Sequence, residues 1–287
     1  MSPSADAALS HLPPFRDWFA TPPSHPRRSL DLVRVTAALI LIVHPIYTLL
    51  HPAARQQLAQ LIASHHLVWS QGLPWVVCLL QIACSLALLA NRGLLPATAG
   101  HVVVLAAGMG MTQFTHWYTV GGAAEDGIPG IEFNVMLLIC LVGVLWGRLR
   151  SASQGLDAVR VGAALVLLMH PLHGVFDPVG LRGFGQGLEH VGFRHGLFLV
   201  WTTMVLQLGC SLALLARRLV VPAVIGHVTV LGMGIWIAHA PRWFVVGPGE
   251  GGMEYSLLLI LCFVAVAIAH WPAPARPEGL PKAEALP

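Results

Sequence analysis

The sequence predicts an all-α integral membrane protein of eight transmembrane helices, folded as two tandem four-helix bundles in a parallel pseudo-two-fold repeat. Three observations carry that prediction. Of 287 residues, 56% are hydrophobic and only 10% are charged. The apolar residues gather into runs long enough to cross the roughly 30 Å hydrocarbon core at about 1.5 Å of helix rise per residue. Adding 126 to a residue number maps the first half onto the second without a gap from Arg34 through Gly121.

Taken in order, the apolar runs give spans at 31–50, 73–90, 96–116, 131–147, 156–173, 197–215, 221–240 and 252–270. Backbone in hydrocarbon must satisfy its own hydrogen bonds, so these runs are helices. Barrel strands would alternate in polarity at every second residue, and these runs do not. Basic residues set the orientation. With both termini cytoplasmic, twelve Lys and Arg residues lie inside and four (Arg55, Arg182, Arg194 and Arg242) lie outside, as the positive-inside rule requires. Residues 1–30 form a Pro-rich polar leader without the pattern of a cleaved signal, expected to be disordered and cytoplasmic, as is the tail 272–287. All five cysteines fall inside spans and no Cys-x-x-Cys occurs, which argues against a disulfide framework. The net charge of +3 is spread over loops, with no basic patch of the kind that binds nucleic acid.

The repeat divides the chain into units at 31–150 and 156–271. His44 falls on His170, Gln81 on Gln207, His101 on His227 and Trp117 on Trp243, and "CSLALLA" recurs at 84–90 and 210–216. After a four-residue contraction, Glu132 falls on Glu254. An even number of spans per unit makes both copies enter from the same side, so sites on the axis would be built from paired residues.

Each unit begins with a helix that has an arginine at its entry and a histidine near its outer end. "LLQIACSLALLANRG" or "VLQLGCSLALLARRL" follows, and then a helix opened by "PGIEFNVMLL" or "GGMEYSLLL". In that order of features, over about residues 31–270, the unit resembles the DoxX/DoxD-like family of small four-helix membrane proteins. The chain departs from the family in carrying Gln81 and Gln207 where glutamate is frequent, and in fusing two units. The resemblance implies a membrane subunit of a redox system, with DoxD-type members belonging to a thiosulfate to quinone oxidoreductase, and a bacterial inner-membrane location.

The chemistry gathers at the outer side. Ten of fifteen histidines and seven carboxylates are expected there. An ionisable group inside the bilayer costs a few kcal/mol if unpaired, so it marks a candidate site. His44, His170, Glu132 and Glu254 are the candidate catalytic residues. Imidazole and carboxylate together can move protons near neutral pH, ligate a transition metal or hydrogen-bond a quinone. The plainer alternatives are a histidine bonding a carbonyl freed by the proline after it, and a glutamate suited to a helix N-terminus. The paired histidines would face each other or their own bundle.

His44, His170, His101, His227, Trp117 and Trp243 are candidate cofactor-binding residues, the histidines for quinone or, as facing axial ligands, for haem. Trp117 and Trp243 equally suit an aromatic belt. His170 and His173 stand three apart and, with His239, form the candidate metal set. Gln81 and Gln207 are read as interhelical cross-links. Arg34 and Arg160 are read as side chains that snorkel to the cytoplasmic boundary. The glycines after the third span of each unit allow tight loops that could carry Glu132 and Glu254 toward the histidines.

Three functions stay open on the sequence. The first is a quinone-interacting membrane subunit with a membrane or periplasmic redox partner. The others are a non-enzymatic anchor or assembly scaffold for such a partner, and a metal- or haem-binding membrane protein.

Overall fold

A computed structural model of the chain describes residues 23–112, 130–245 and 251–272. Those residues form helices joined by short turns, with no strand among them. The helices are α1 (Pro26–Leu50), α2 (Pro52–Ser64), α3 (Leu73–Leu89), α4 (Leu94–Thr112), α5 (Glu132–Leu149), α6 (Ala152–Phe176), α7 (Pro178–His190), α8 (Gly196–Leu215), α9 (Val220–Gly234) and α10 (Glu254–His270). A π-helical turn, Ile235–His239, extends α9. Among the described residues six helices, counting α9 with its π turn, are long and apolar enough to cross a membrane, and α3 and α10 are shorter apolar helices. The chain is in these terms a multi-pass α-helical membrane protein.

Proline opens α1, α2 and α7, where its missing N–H costs nothing. Helix α1 already begins at Pro26, inside the stretch expected to be a disordered leader. Residues 1–22 and the rest of the tail lie outside the described residues. Pro45 and Pro171 lie within α1 and α6, which run on to Leu50 and Phe176. A proline can be carried inside a spanning helix when neighbouring groups absorb the freed carbonyl. The short helices α2 and α7 were not foreseen. Their polar composition hides them from a hydropathy reading, yet they occupy equivalent positions in the repeat.

Helices α1, α5, α6 and α10 pack at the centre, with α3 and α4 against α1 and α5, and α8 and α9 against α6 and α10. The core is small and apolar where helices cross: Ala37, Ala38, Ala163, Ala164, Ala265 and Ala269 are all buried. Small residues let backbones approach when the solvent is itself apolar. A close backbone approach joins α5 to α6. A β-carbon on Gly155 would lie 2.4 Å from the Gly143 carbonyl oxygen and 2.6 Å from the Gly147 Cα. Large side chains such as Leu79, Val205 and Leu206 of α3 and α8 are left facing outward, as lipid-facing residues should be.

Arg34 and Arg160 do not snorkel. Both are buried and turn inward, Arg34 donating to the carbonyls of Leu88 and Leu89 and Arg160 to that of Leu214. Those carbonyls end α3 and α8, where a helix has no partners of its own and welcomes a cation. Asp31 and Asp157 hold the two guanidinium groups from the preceding turn, each at 3.1 Å.

Candidate functional site

The polar residues of the outer end meet in crossed pairs. His44 sits six residues before the end of α1, and its Nε2 lies 2.8 Å from the Oε2 of Glu254, the first residue of α10. His170 sits six residues before the end of α6, and its Nε2 lies 2.9 Å from the Oε2 of Glu132, the first residue of α5. Each histidine therefore reaches the glutamate of the opposite half. Neither pairs with the other histidine or with the carboxylate of its own unit, the two arrangements the sequence left open. Nor does His44 spend its ring on the carbonyl freed by Pro45.

Both glutamates are fully buried, while the imidazoles keep 30% and 28% of their side-chain surface exposed. A buried carboxylate needs hydrogen bonds or a positive neighbour to remain ionised. Glu254 has three supports: His44 on one oxygen, the Val245 N–H at 2.8 Å on the other, and the N-terminal turn of its own helix. Each pair can thus hold one proton between an imidazole that is reachable and a carboxylate that is not.

The loop before α10 places Glu254. Residues 242–245 run antiparallel to 251–254, with Gly252 N–H donating to Phe244 O at 2.9 Å, Met253 to Arg242 at 3.0 Å and Glu254 to Trp243 at 3.1 Å. A β-carbon on Gly252 would lie 2.3 Å from the Trp243 carbonyl, so only glycine lets the segments touch. His239 ends the π turn and places its Nδ1 2.6 Å from the Gly251 carbonyl, which pins the same loop. Gly251 and Gly252 thus help to hold Glu254 beside a histidine. The matching loop of the first half, with Trp117, lies outside the described residues.

Aromatic rings wall the His44 pair. Phe244 meets the His44 ring edge-on at 5.3 Å, Tyr47 packs on Phe244 at 4.7 Å, and Phe133 lies 6.3 Å from His44. Phe133 also meets Tyr255 at 5.9 Å, and Tyr255 faces Glu132. The indole N–H of Trp243 is buried without an acceptor among the described residues. Tyr47, Phe244 and Tyr255 were missed in the sequence, because a lining aromatic and a belt aromatic have the same signature in one dimension.

Other expected residues are placed elsewhere. His101 and His227 are fully buried near the opposite end, each with Nε2 on a serine of the preceding helix, Ser85 at 3.1 Å and Ser211 at 3.2 Å. His227 also stacks flat on Phe263. Bonding to a neighbouring helix, one of the two readings of these residues, is what their Nε2 atoms do, while each Nδ1 is buried without a hydrogen-bond partner among the described residues. His170, His173 and His239 do not converge. His173 lies 3.8 Å from Asp177, His239 holds Gly251, and no group of three or more metal-ligating side chains occurs among the described residues. Gln81 and Gln207, read as cross-links, make no side-chain hydrogen bond with the described residues and are half-buried. The fourth helices instead meet through thiols, Cys140 Sγ lying 3.4 Å from Cys262 Sγ, and these two residues are equivalent in the repeat.

No protein-family model, no curated protein and no solved structure matches the chain.

Proposed function

We propose that the chain is a quinone-interacting membrane subunit of a redox system, in which the two crossed histidine–glutamate pairs exchange protons at the outer face. One observation carries this reading. Two equivalent pairs each set a part-exposed imidazole against a fully buried carboxylate, near the end of a span. The imidazole can hydrogen-bond a ring oxygen from the membrane side, and the carboxylate behind it stabilises the proton that the ring takes up. The aromatic wall of Phe244, Tyr47 and Phe133 and the unclaimed indole N–H of Trp243 suit a flat ring with polar edges. Two such pairs match the two protons that separate a quinol from a quinone.

Within this reading α3 and α10 also cross the bilayer, giving eight spans in two DoxX-like bundles about a parallel pseudo-two-fold axis. The touching of equivalent residues, Phe133 with Tyr255 and Cys140 with Cys262, supports an axis between the fourth helices. The excess of Lys and Arg at the other end supports cytoplasmic termini in a bacterial inner membrane. The electrons would pass to a membrane or periplasmic partner.

The test is extraction of purified protein for bound quinone, alongside quinol-linked proton release in membranes. Native protein retains quinone, and a His44→Ala/His170→Ala double variant loses both retention and release. Equal retention and release in the double variant would sink the proposal.

A further inference from the structure

We infer that the end of the molecule opposite the crossed pairs carries a phosphate-binding cavity, whose arginines all come from the first half. The cavity has a volume of about 510 Å³ and lies between the start of α1, the α3–α4 turn, the end of α5 and the start of α6. Four arginines line it: Arg27, Arg34, Arg148 and Arg150. The one carboxylate there among the described residues, Asp31, is already bonded to Arg34, whose guanidinium also caps α3. Arg27, Arg148 and Arg150 are exposed, and their side chains have no ion-pair or hydrogen-bond partner among the described residues. Arg150 packs over the ring of Trp146, which steadies its position without neutralising it.

The duplicated half is the internal control. At the equivalent positions Ser153 replaces Arg27, His270 replaces Arg148 and Pro272 replaces Arg150, while Arg217 replaces Asn91. The charges that remain are matched: Asp157 holds Arg160 at 3.1 Å and Arg217 at 3.5 Å. A positive-inside bias alone would ask for arginines at both places. Among the described residues, only the first half gathers three unmatched guanidinium groups around a hollow. The N-terminus of α6 opens into the same hollow with its positive dipole end, Ser151 having turned its hydroxyl to Gln154 N–H. Leu30, Leu94 and Val144 supply an apolar floor continuous with the helix bundle.

Guanidinium forks, a helix N-terminus and an apolar floor together recognise a phosphate group, carried either by an anionic phospholipid or by a soluble phosphate. The full chain is purified into nanodiscs of phosphatidylcholine with a minor share of phosphatidylglycerol, and retained lipid is counted by native mass spectrometry. Phosphatidylglycerol is enriched, and an Arg27→Gln/Arg148→Gln/Arg150→Gln variant lowers the enrichment by roughly a hundredfold, at about fivefold per basic residue. Arg217→Gln leaves it unchanged. If the lipid is not enriched but inorganic phosphate protects Arg27, Arg148 and Arg150, and not Arg217, of the native protein from arginine-directed modification, the soluble source holds. Neither lipid enrichment nor phosphate protection, or equal values in the triple variant, overturns the inference. A photoactivatable phosphatidylglycerol keeps the test sharp should the triple variant not fold. With native protein it must label peptides within 26–34 and 144–153, and labelling confined to other peptides also overturns the inference.

Discussion

The two ends of the molecule treat the duplication in opposite ways. At the end bearing the crossed pairs, histidine and glutamate occur in both copies and each copy completes the other. At the arginine end the copies diverge: the second has Ser153, His270 and Pro272 where the first has three unmatched arginines, and its added Arg217 is held by Asp157. Residues that pair across the halves act together, because removing the imidazole strands a buried carboxylate in the opposite unit. Residues that serve only their own half can change singly.

The largest effect expected from this contrast concerns the crossing itself. His44→Leu leaves Glu254 buried without its imidazole and should cost about 3 to 5 kcal/mol, read from thermal unfolding in detergent. Adding Glu254→Leu should recover most of that loss, whereas adding Glu132→Leu should only deepen it. A double-mutant cycle that couples His44 to Glu132 instead would break the comparison. Next comes the seam between α5 and α6. Gly155→Val should cost about 1 to 3 kcal/mol, because the added atoms strike the Gly143 carbonyl and Gly147 backbone. The corresponding change at its repeat partner, Ser29→Val, should cost less, since that seam already accommodates the β-carbons of Ala265 and Ala269.

Smaller and equal losses are expected where the halves agree and do not cross. Ser85→Ala and Ser211→Ala each remove the partner of a buried imidazole nitrogen, for about 1 kcal/mol apiece. Unequal losses would show that the halves differ in packing as well as in charge. The smallest effect belongs to Arg217→Gln, whose part-exposed pairing with Asp157 contributes about 0 to 1 kcal/mol. Measured at low and high salt, that contribution should fade as ionic strength rises.

Helices and their order were legible because hydropathy is a one-dimensional signal: each expected span has a helix in the structure, with ends shifted by a few residues. The four candidate catalytic residues were legible because charge in an apolar run stands out. Their partners were not. The +126 offset says that His44 and His170 are equivalent, but equivalence is satisfied alike by pairing within a unit, between histidines, or across units. What decides among these is the close seam of α5 on α6, which brings each first helix against the other unit's fourth. Gly143, Gly147 and Gly155 were visible as small residues, and their meaning emerges only when their backbones are seen to touch. Arg34 and Arg160 were misread for a related reason. A snorkelling arginine and a capping arginine have the same place in the sequence and differ only in where the neighbouring helix ends.

Because His44 and His170 each borrow an acid from the other side of the seam, the smallest assembly that holds the crossed pairs is a whole chain. A lone four-helix fragment would carry a naked glutamate into oil, and its cheapest remedy is a twin that offers the missing ring. The covalent tether between Leu149 and Ala152 therefore fixes a stoichiometry that separate halves would otherwise have to reach by finding each other in the plane of the membrane.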